Sequence, residues 1–290
     1  MLAHRPVMLA ESLAGLQPRR GGCYIDATYG RGGHSEALLE ALAGEGQLHA
    51  LDQDPAAIAA GQARHGGRPG FTLHHRNFGE LGALLAECGL SGAVDGILLD
   101  LGVSSPQLDQ PERGFSFSQD GPLDMRMDPG RGEPVSAWLA RAKEAEIADV
   151  LFHYGEERAS RRIARRLVEA RSQAPITRTA QLAELIQRAL PGPRQKIHPA
   201  TRSFQALRIF INRELEVLPQ ALSAAAEGLR SGGRLAVISF HSLEDRIVKR
   251  FIREAGSRLK AISREFASDA ECADNPRARS AVLRVAEKQA

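Results

Sequence analysis

Asp26-Ala27-Thr28-Tyr29-Gly30-Arg31-Gly32-Gly33-His34-Ser35 is the stretch whose reading decides the fold. The apolar run Cys23-Tyr24-Ile25 leads into it and predicts a buried strand, with Asp26 where that strand ends. Three glycines follow within four residues, and Ser35 suits the cap of a helix opening Glu36-Ala37-Leu38-Leu39. A strand, a glycine-rich turn and a helix result. Backbone N–H groups of such a turn are open, and the helix start carries partial positive charge. The stretch therefore suits the polar end of a nucleotide-like ligand. A tight turn that simply needs small residues is the alternative.

Which ligand follows from the details. A dinucleotide fingerprint requires G-x-G-x-x-G, and here Gly30 and Gly32 fit while Ser35 occupies the third glycine position. Asp26 precedes the turn, where a carboxylate can pair with an ammonium group. NAD has no such group. S-adenosylmethionine has both an α-amino group, which suits Asp26, and a carboxylate, which suits the helix start.

The next strands repeat the pattern. Gln47-Leu48-His49-Ala50-Leu51 predicts a second strand ending in Asp52, an acid placed to accept ribose hydroxyls, or else a helix N-terminal acid ahead of Pro55. Phe71–His75 predicts a third strand leading to Asn77-Phe78. Phe78 is a candidate adenine contact or plain core. Ala93–Gly102 is the most apolar strand, fit for the centre of a parallel sheet. It delivers Asp100 and then Ser104-Ser105-Pro106-Gln107. Ligands of open α/β sheets bind at the carboxyl ends of strands, so Asp26, Asp52, Phe78 and Asp100 fall along one edge.

The chain has 290 residues, 43% hydrophobic and 25% charged, as in an ordinary globular protein. Cys23, Cys88 and Cys272 form no pair at metal or disulfide spacing, and the nine histidines show no ligand spacing, so no metal is expected. No signal peptide or membrane span is visible, which places the expected location in the cytoplasm and gives no membrane partner.

Net charge is only +3, but residues 151–213 hold thirteen basic and four acidic side chains, a local +9 that leaves −6 elsewhere. Such asymmetry points to a polyanion, with a solvated helix face as the alternative reading.

Residues 108–134 read as a long loop rich in Gly, Pro, Asp and Arg, whose aromatic and basic residues favour function. Helical periodicity then predicts helices over 137–153, 156–172, 179–190, about 200–215 and 218–229, with a break at Pro191-Gly192-Pro193. Arg234–Phe240 returns to the sheet, a helix over 243–254 follows His241-Ser242, and a last strand covers 281–286. The expected organisation is an α/β sheet domain, residues 1–107 and 216–290, around an all-helical insert of 108–215.

An exocyclic amino group of a base is a poor nucleophile, because its lone pair is delocalised. Acceptors around its N–H bonds hold it ready for an in-line methyl donor. Asp100, Ser104 or Ser105, and the carbonyl before Pro106 stand at the right strand end. Methyltransferases of such groups carry an acid or Ser followed by Pro-Pro-aromatic. This chain has Ser105-Pro106-Gln107, so the base-stacking partner stays open among Phe115, Phe117 and Phe240.

Long runs now resemble one family. They are His4-x-Pro6-Val7, Asp26-x-Thr28-x-Gly30-x-Gly32-Gly33-His34-Ser35, and the run from Asp100 through Ser104-Ser105-Pro106-Gln107 to Asp109. They continue with Arg113-Gly-Phe-Ser-Phe117, Leu123-Asp-Met-Arg-Met127, Tyr154-Gly-Glu-Glu-Arg158, His198-Pro-Ala-Thr-Arg202 and Phe204-Gln-Ala-Leu-Arg208. Phe240-His-Ser-Leu-Glu-Asp-Arg246 and Asn275-Pro-Arg-x-Arg-Ser280 complete the set.

The chain resembles the RsmH (MraW) family of bacterial 16S ribosomal RNA cytosine-N4 methyltransferases over nearly its whole length. The resemblance implies a class I, Rossmann-like methyltransferase sheet with a helical domain inserted after the fourth strand. It implies S-adenosylmethionine contacts at Gly32, Gly33, His34, Asp52, Phe78, Asp100 and Gln107. The implied substrate is a cytidine in the decoding region of 16S rRNA, as naked RNA or within the small ribosomal subunit. Asp100, Ser105 and Pro106 are the expected catalytic positions. Arg113, Phe115, Arg158, Arg202, Arg208 and His241 are the expected substrate contacts. His241 is also a candidate helix cap. A DNA amino-methyltransferase, a nicotinamide dehydrogenase and a non-catalytic RNA-binding module are the competing readings.

Overall fold

The computed structural model describes residues 6–190 and 198–290. The break expected at Pro191-Gly192-Pro193, the bases Arg194 and Lys196, and His4 of the first motif lie outside them. Two compact units emerge, Met1–Gly102 with Leu215–Ala290, and Val103–Glu214.

The first unit is built on seven strands: β1 (Cys23–Asp26), β2 (Gln47–Asp52), β3 (Phe71–His75), β4 (Val94–Asp100), β5 (Leu229–Ser239), β6 (Leu259–Phe266) and β7 (Val282–Lys288). Their order is β3-β2-β1-β4-β5-β7-β6. The first five pair in parallel, and β7 runs antiparallel between β5 and β6. This is the α/β class that the strand–turn–helix reading predicts.

Side chains of a strand alternate between faces. Here both faces are apolar. Ile25, Ile97, Leu99 and Val237 enter one core with Leu81, Leu84 and Leu222. Their neighbours Tyr24, Leu98, Ala236 and Ile238 enter another with Leu38, Leu42 and Leu283. A sheet buried on both sides explains the unbroken apolar run of β4.

Helices of this unit are α1 (Leu9–Leu16), α2 (Gly33–Leu42), α3 (Pro55–His65) and α4 (Leu81–Glu87). The second unit holds α5 (Ser105–Asp109), α6 (Val135–Arg141), α7 (Glu144–Gly155), α8 (Ser160–Arg171), α9 (Thr179–Ala189) and α10 (Thr201–Ile211). α11 (Glu214–Gly228), α12 (Ser242–Glu254) and α13 (Asp269–Asp274) follow.

Several boundaries differ from the sequence expectation. The helix predicted over 137–153 is two, because the N–H of Lys143 is taken by the Glu146 carboxylate in a fresh capping box. Glu156, in left-handed backbone at φ 50°, ends α7 and delays α8 to Ser160. β6 escaped the sequence reading altogether. Apart from Leu259, it is an exposed or half-buried edge strand with no apolar alternation to betray it.

The segment 108–134 also differs from a free functional loop. Phe115, Leu123, Met125 and Met127 are buried in the core of the second unit with Trp138, Leu139 and Leu151. Asn212 clamps it, accepting from the Met127 N–H at 2.7 Å and donating to the Met125 carbonyl at 2.8 Å.

Candidate active site

The carboxyl ends of the parallel strands carry the candidate chemistry of the first unit. Asp26 closes β1 and is fully buried. Its Oδ1 accepts from the Thr28 N–H at 3.1 Å and its Oδ2 from the Ser35 hydroxyl at 2.6 Å. Ser35 therefore does not cap α2 as expected. The helix begins at Gly33, with left-handed Gly32 in the cap position and no side chain capping it. Asp26 orders the turn from below rather than presenting an open carboxylate to an amine, a departure from the sequence expectation. Burial holds its pKa above the ordinary carboxylate value.

Gly30 and Gly32 have φ of 55° and 75°, backbone that a side chain resists. A Cβ on Gly32 would fall 2.4 Å from the Tyr29 hydroxyl, and one on Gly33 2.2 Å from Pro6.

Asp52 at the end of β2 accepts from the Gly30 N–H at 2.7 Å and the Asp54 N–H at 2.8 Å. The capping of α3 falls to Asp54, whose carboxylate takes the Ala56 N–H, so Asp52 is tied to the glycine-rich turn instead. Two carboxylate oxygens offer about four acceptor positions, and two remain for a ligand's hydroxyls. Burial pushes the Asp52 pKa up to about 6. Phe78 follows Asn77, whose side chain bonds Gly79 and Gln53, and packs half-buried against the sheet core.

Asp100 closes β4, its N–H donating to the Thr28 hydroxyl at 2.6 Å. Its Oδ1 is buried and has no hydrogen-bond partner among the described residues. Burial first, then the charges of Asp26 and Glu244, raise its pKa well above the usual carboxylate range.

His34 lies beside it. Its Nε2 is 3.2 Å from the Val7 carbonyl, which can only accept, so Nε2 carries the hydrogen. In neutral His34 the Nδ1 lone pair then faces Asp100 Oδ2 at 3.7 Å. Two acceptors facing each other favour a proton or a cationic ligand.

His241 caps α12. The Glu244 N–H reaches its Nδ1 at 3.4 Å, and Glu244 accepts in return from the N–H groups of Phe240 and His241. The part-buried Asp100 thus faces the repelling charges of the buried Asp26 and Glu244, an environment that favours a cation.

In the second unit, Ser104 caps α5, and Gln107 turns its side-chain oxygen back to the Ser104 N–H at 3.0 Å. Ser105 and Gln107 are buried there. Three expected substrate contacts are internal instead. Arg113 donates to the carbonyls of Arg126 and Met127, Phe115 lies in the core, and Arg208 grips the buried Glu214 with two bonds of 2.9 and 2.8 Å. Each is occupied by its own fold. Arg158 and Arg202 are exposed. Arg202 lies on α10, which approaches α7 closely enough that a Cβ on Gly155 would meet the Arg202 carbonyl at 2.6 Å, and Arg158 lies in the turn just after α7.

Sequence reading missed Thr28, Glu244 and the buried His65. Glu244 carried a signal, lying three residues beyond a capping position. His65 carried none, since its partners are 36 and 29 residues away.

Among the described residues no helix is long and apolar enough to cross a membrane, and no group of three or more metal-ligating side chains is present.

A family model described as the MraW methylase family matches residues 1–289. The chain is 54% identical over 307 residues to the ribosomal RNA small subunit methyltransferase H of Thioalkalivibrio sulfidiphilus, covering 99% of this chain and 98% of that protein. It is 53% identical over 306 residues to the protein of the same name in Nitrosococcus oceani, covering 99% and 97%. Among solved structures, one from Clostridium thermocellum provisionally designated an rRNA-methylase superposes with a TM-score of 0.50 at 13% identity, covering 99% of this chain and 100% of that one. That likeness shows the shared α/β methyltransferase fold.

Proposed function

The chain belongs to the MraW methylase family, and on that premise we propose that it transfers the methyl group of S-adenosylmethionine to the N4 amino group of a cytidine in the decoding region of 16S rRNA. The names of its relatives support small-subunit rRNA as the substrate. The observation that carries the cofactor reading is the group of Asp26, Asp100 and Glu244 beside the glycine-rich turn, with Asp100 Oδ1 buried and unpaired. These residues fit a cationic ligand that also brings hydrogen-bond donors.

Bound there, S-adenosylmethionine supplies an electrophilic sulfonium methyl. Gly32, Gly33 and His34 line the turn that receives its polar end. Asp52 would accept ribose hydroxyls with the positions that Gly30 and Asp54 leave open, and Phe78 would serve as the adenine contact. Asp100 would supply an acceptor carboxyl to the target amino group. Its raised proton affinity suits a group that accepts from an amino N–H as positive charge develops on the methylated nitrogen. Asp26 and Glu244 hold the surrounding backbone. Arg158 and Arg202 meet RNA phosphates, a role that exposed guanidinium groups fill well.

The test is to incubate the purified protein with labelled S-adenosylmethionine and either unmethylated 16S rRNA, immature small-subunit particles or DNA. Label at cytidine N4 of the RNA, mapped by mass spectrometry, is the expected result. No transfer to either RNA form abandons the reading, and transfer to DNA alone moves it to a DNA amino-methyltransferase.

A further inference from the structure

Beside the glycine-rich turn lies a chain of hydrogen bonds, buried at Tyr29 and part-buried at Glu36, that uses none of the residues assigned above. The Tyr29 hydroxyl is 3.0 Å from His65 Nδ1, and His65 Nε2 is 2.6 Å from Glu36 Oε2. Tyr29 and His65 are almost wholly buried. An ionised Glu36 can only accept, so Nε2 carries hydrogen, and in the neutral imidazole Nδ1 then accepts a hydrogen bond from the Tyr29 hydroxyl. Glu36 is secured in turn by Arg68 at 2.7 Å and Arg64 at 3.3 Å. His65 and Arg68 hold its carboxyl ionised, with a pKa lowered to about 2.

The three residues span the turn. Tyr29 immediately precedes Gly30, Glu36 stands in the first turn of α2, and His65 ends α3. Tyr29 also touches the turn directly. Its carbonyl accepts the Gly32 N–H at 2.7 Å, its N–H donates to Leu51 at 2.8 Å, and its ring lies where Gly32 and Gly61 have no Cβ. A turn held at two positive-φ glycines has many alternatives in solution. A side-chain bond at each of its ends removes them before a ligand arrives, which raises affinity without touching the ligand.

We propose that Tyr29, His65 and Glu36 form a brace that fixes the glycine-rich turn in its cofactor-receiving shape, so that they are positioning residues for cofactor binding. The inference rests on the reading of that turn as the S-adenosylmethionine seat. Tyr29→Phe is the informative variant, since it keeps the ring against Gly32 and Gly61 and removes only the hydroxyl. Calorimetry should show S-adenosylmethionine bound about tenfold more weakly, the scale of one lost buried hydrogen bond. The kcat at saturating cofactor and the KM for RNA should stay within twofold.

His65→Ala should give a similar loss, and the double variant should add nothing beyond it. Melting curves for all three keep partial unfolding from passing as weak binding. Cofactor affinity of Tyr29→Phe within twofold of the parent overturns the proposal. So does an equal loss of RNA affinity, or losses from the two single variants that simply add. Failure of the parent chain itself to bind S-adenosylmethionine overturns the cofactor reading, and this inference with it.

Discussion

The strand-end rim of the first unit and the arginine-bearing surface of the second are charged in opposite ways, and they are built differently. On the rim, nearby backbone and hydroxyl donors hold the carboxylates of Asp26 and Glu244, and Asp100 is tied through its own N–H to the distant Thr28 hydroxyl. On the second unit, Arg158 stands in water in the turn after α7, and Arg202 on α10, which meets α7 at Gly155. Burial amplifies an electrostatic interaction, and exposure to water and salt mutes it. The rim should therefore act through a few large, geometry-dependent effects, and the arginine surface through many small, salt-dependent ones.

The sharpest way to break that contrast is Asp100→Ala. Methyl transfer should fall by roughly a hundredfold or more, as for loss of one preorganised group at a reacting centre. A filter assay with labelled cofactor reads it, and a loss under threefold would remove Asp100 from the site.

Arg208→Ala tests whether a basic residue of the second unit acts inside the fold instead. It strands the buried Glu214, which costs about 3 kcal/mol. The melting temperature should fall well before RNA affinity does, and removing Glu214 as well, in Arg208→Met with Glu214→Leu, should recover much of the loss. A variant that melts like the parent but binds RNA poorly would return Arg208 to the substrate surface.

Asp52 gives a smaller, pH-dependent effect. The ionised form accepts ribose hydroxyls, so cofactor affinity should decline as pH falls through about 6. Stability should move the other way. The folded pKa of about 6 stands above the ordinary 3.8, so the stability linked to this proton is complete below 3.8 and lost as pH rises through 6. Calorimetry and melting across that window should give opposing slopes. Parallel slopes would mean another group dominates. Asp52→Ala should weaken cofactor binding far more than RNA binding.

The smallest effects belong to Arg158→Ala and Arg202→Ala. Each should weaken RNA binding a few-fold and lower the salt slope by about one, with stability within roughly 0.5 kcal/mol of the parent. A large loss that persists in high salt would indicate a buried contact.

The sheet was legible because its signals are local. Short apolar runs mark β1, β2 and β4, and an acid closes each of them. The buried acids were legible as strand ends but not as a repelling group, because Glu244 joins it only through the fold. On the second unit, arginine counts did not separate Arg158 from Arg208. The distinction depends on Glu214, six residues beyond Arg208 and across the end of α10. Phe115 and Arg113 looked functional in a segment of loop composition. Only packing against Trp138 and the carbonyls of 126 and 127 shows them to be internal supports.

The place of β7 has a consequence for synthesis of the protein. Val282–Lys288 lies between β5 and β6, with Leu283, Val285 and Ala286 fully buried. A nascent chain released up to Phe266 has made both neighbours of that strand but cannot join them. Until Val282–Lys288 leaves the ribosomal tunnel, the facing edges of β5 and β6 stay unpaired, and the partly made chain is open to mispairing there.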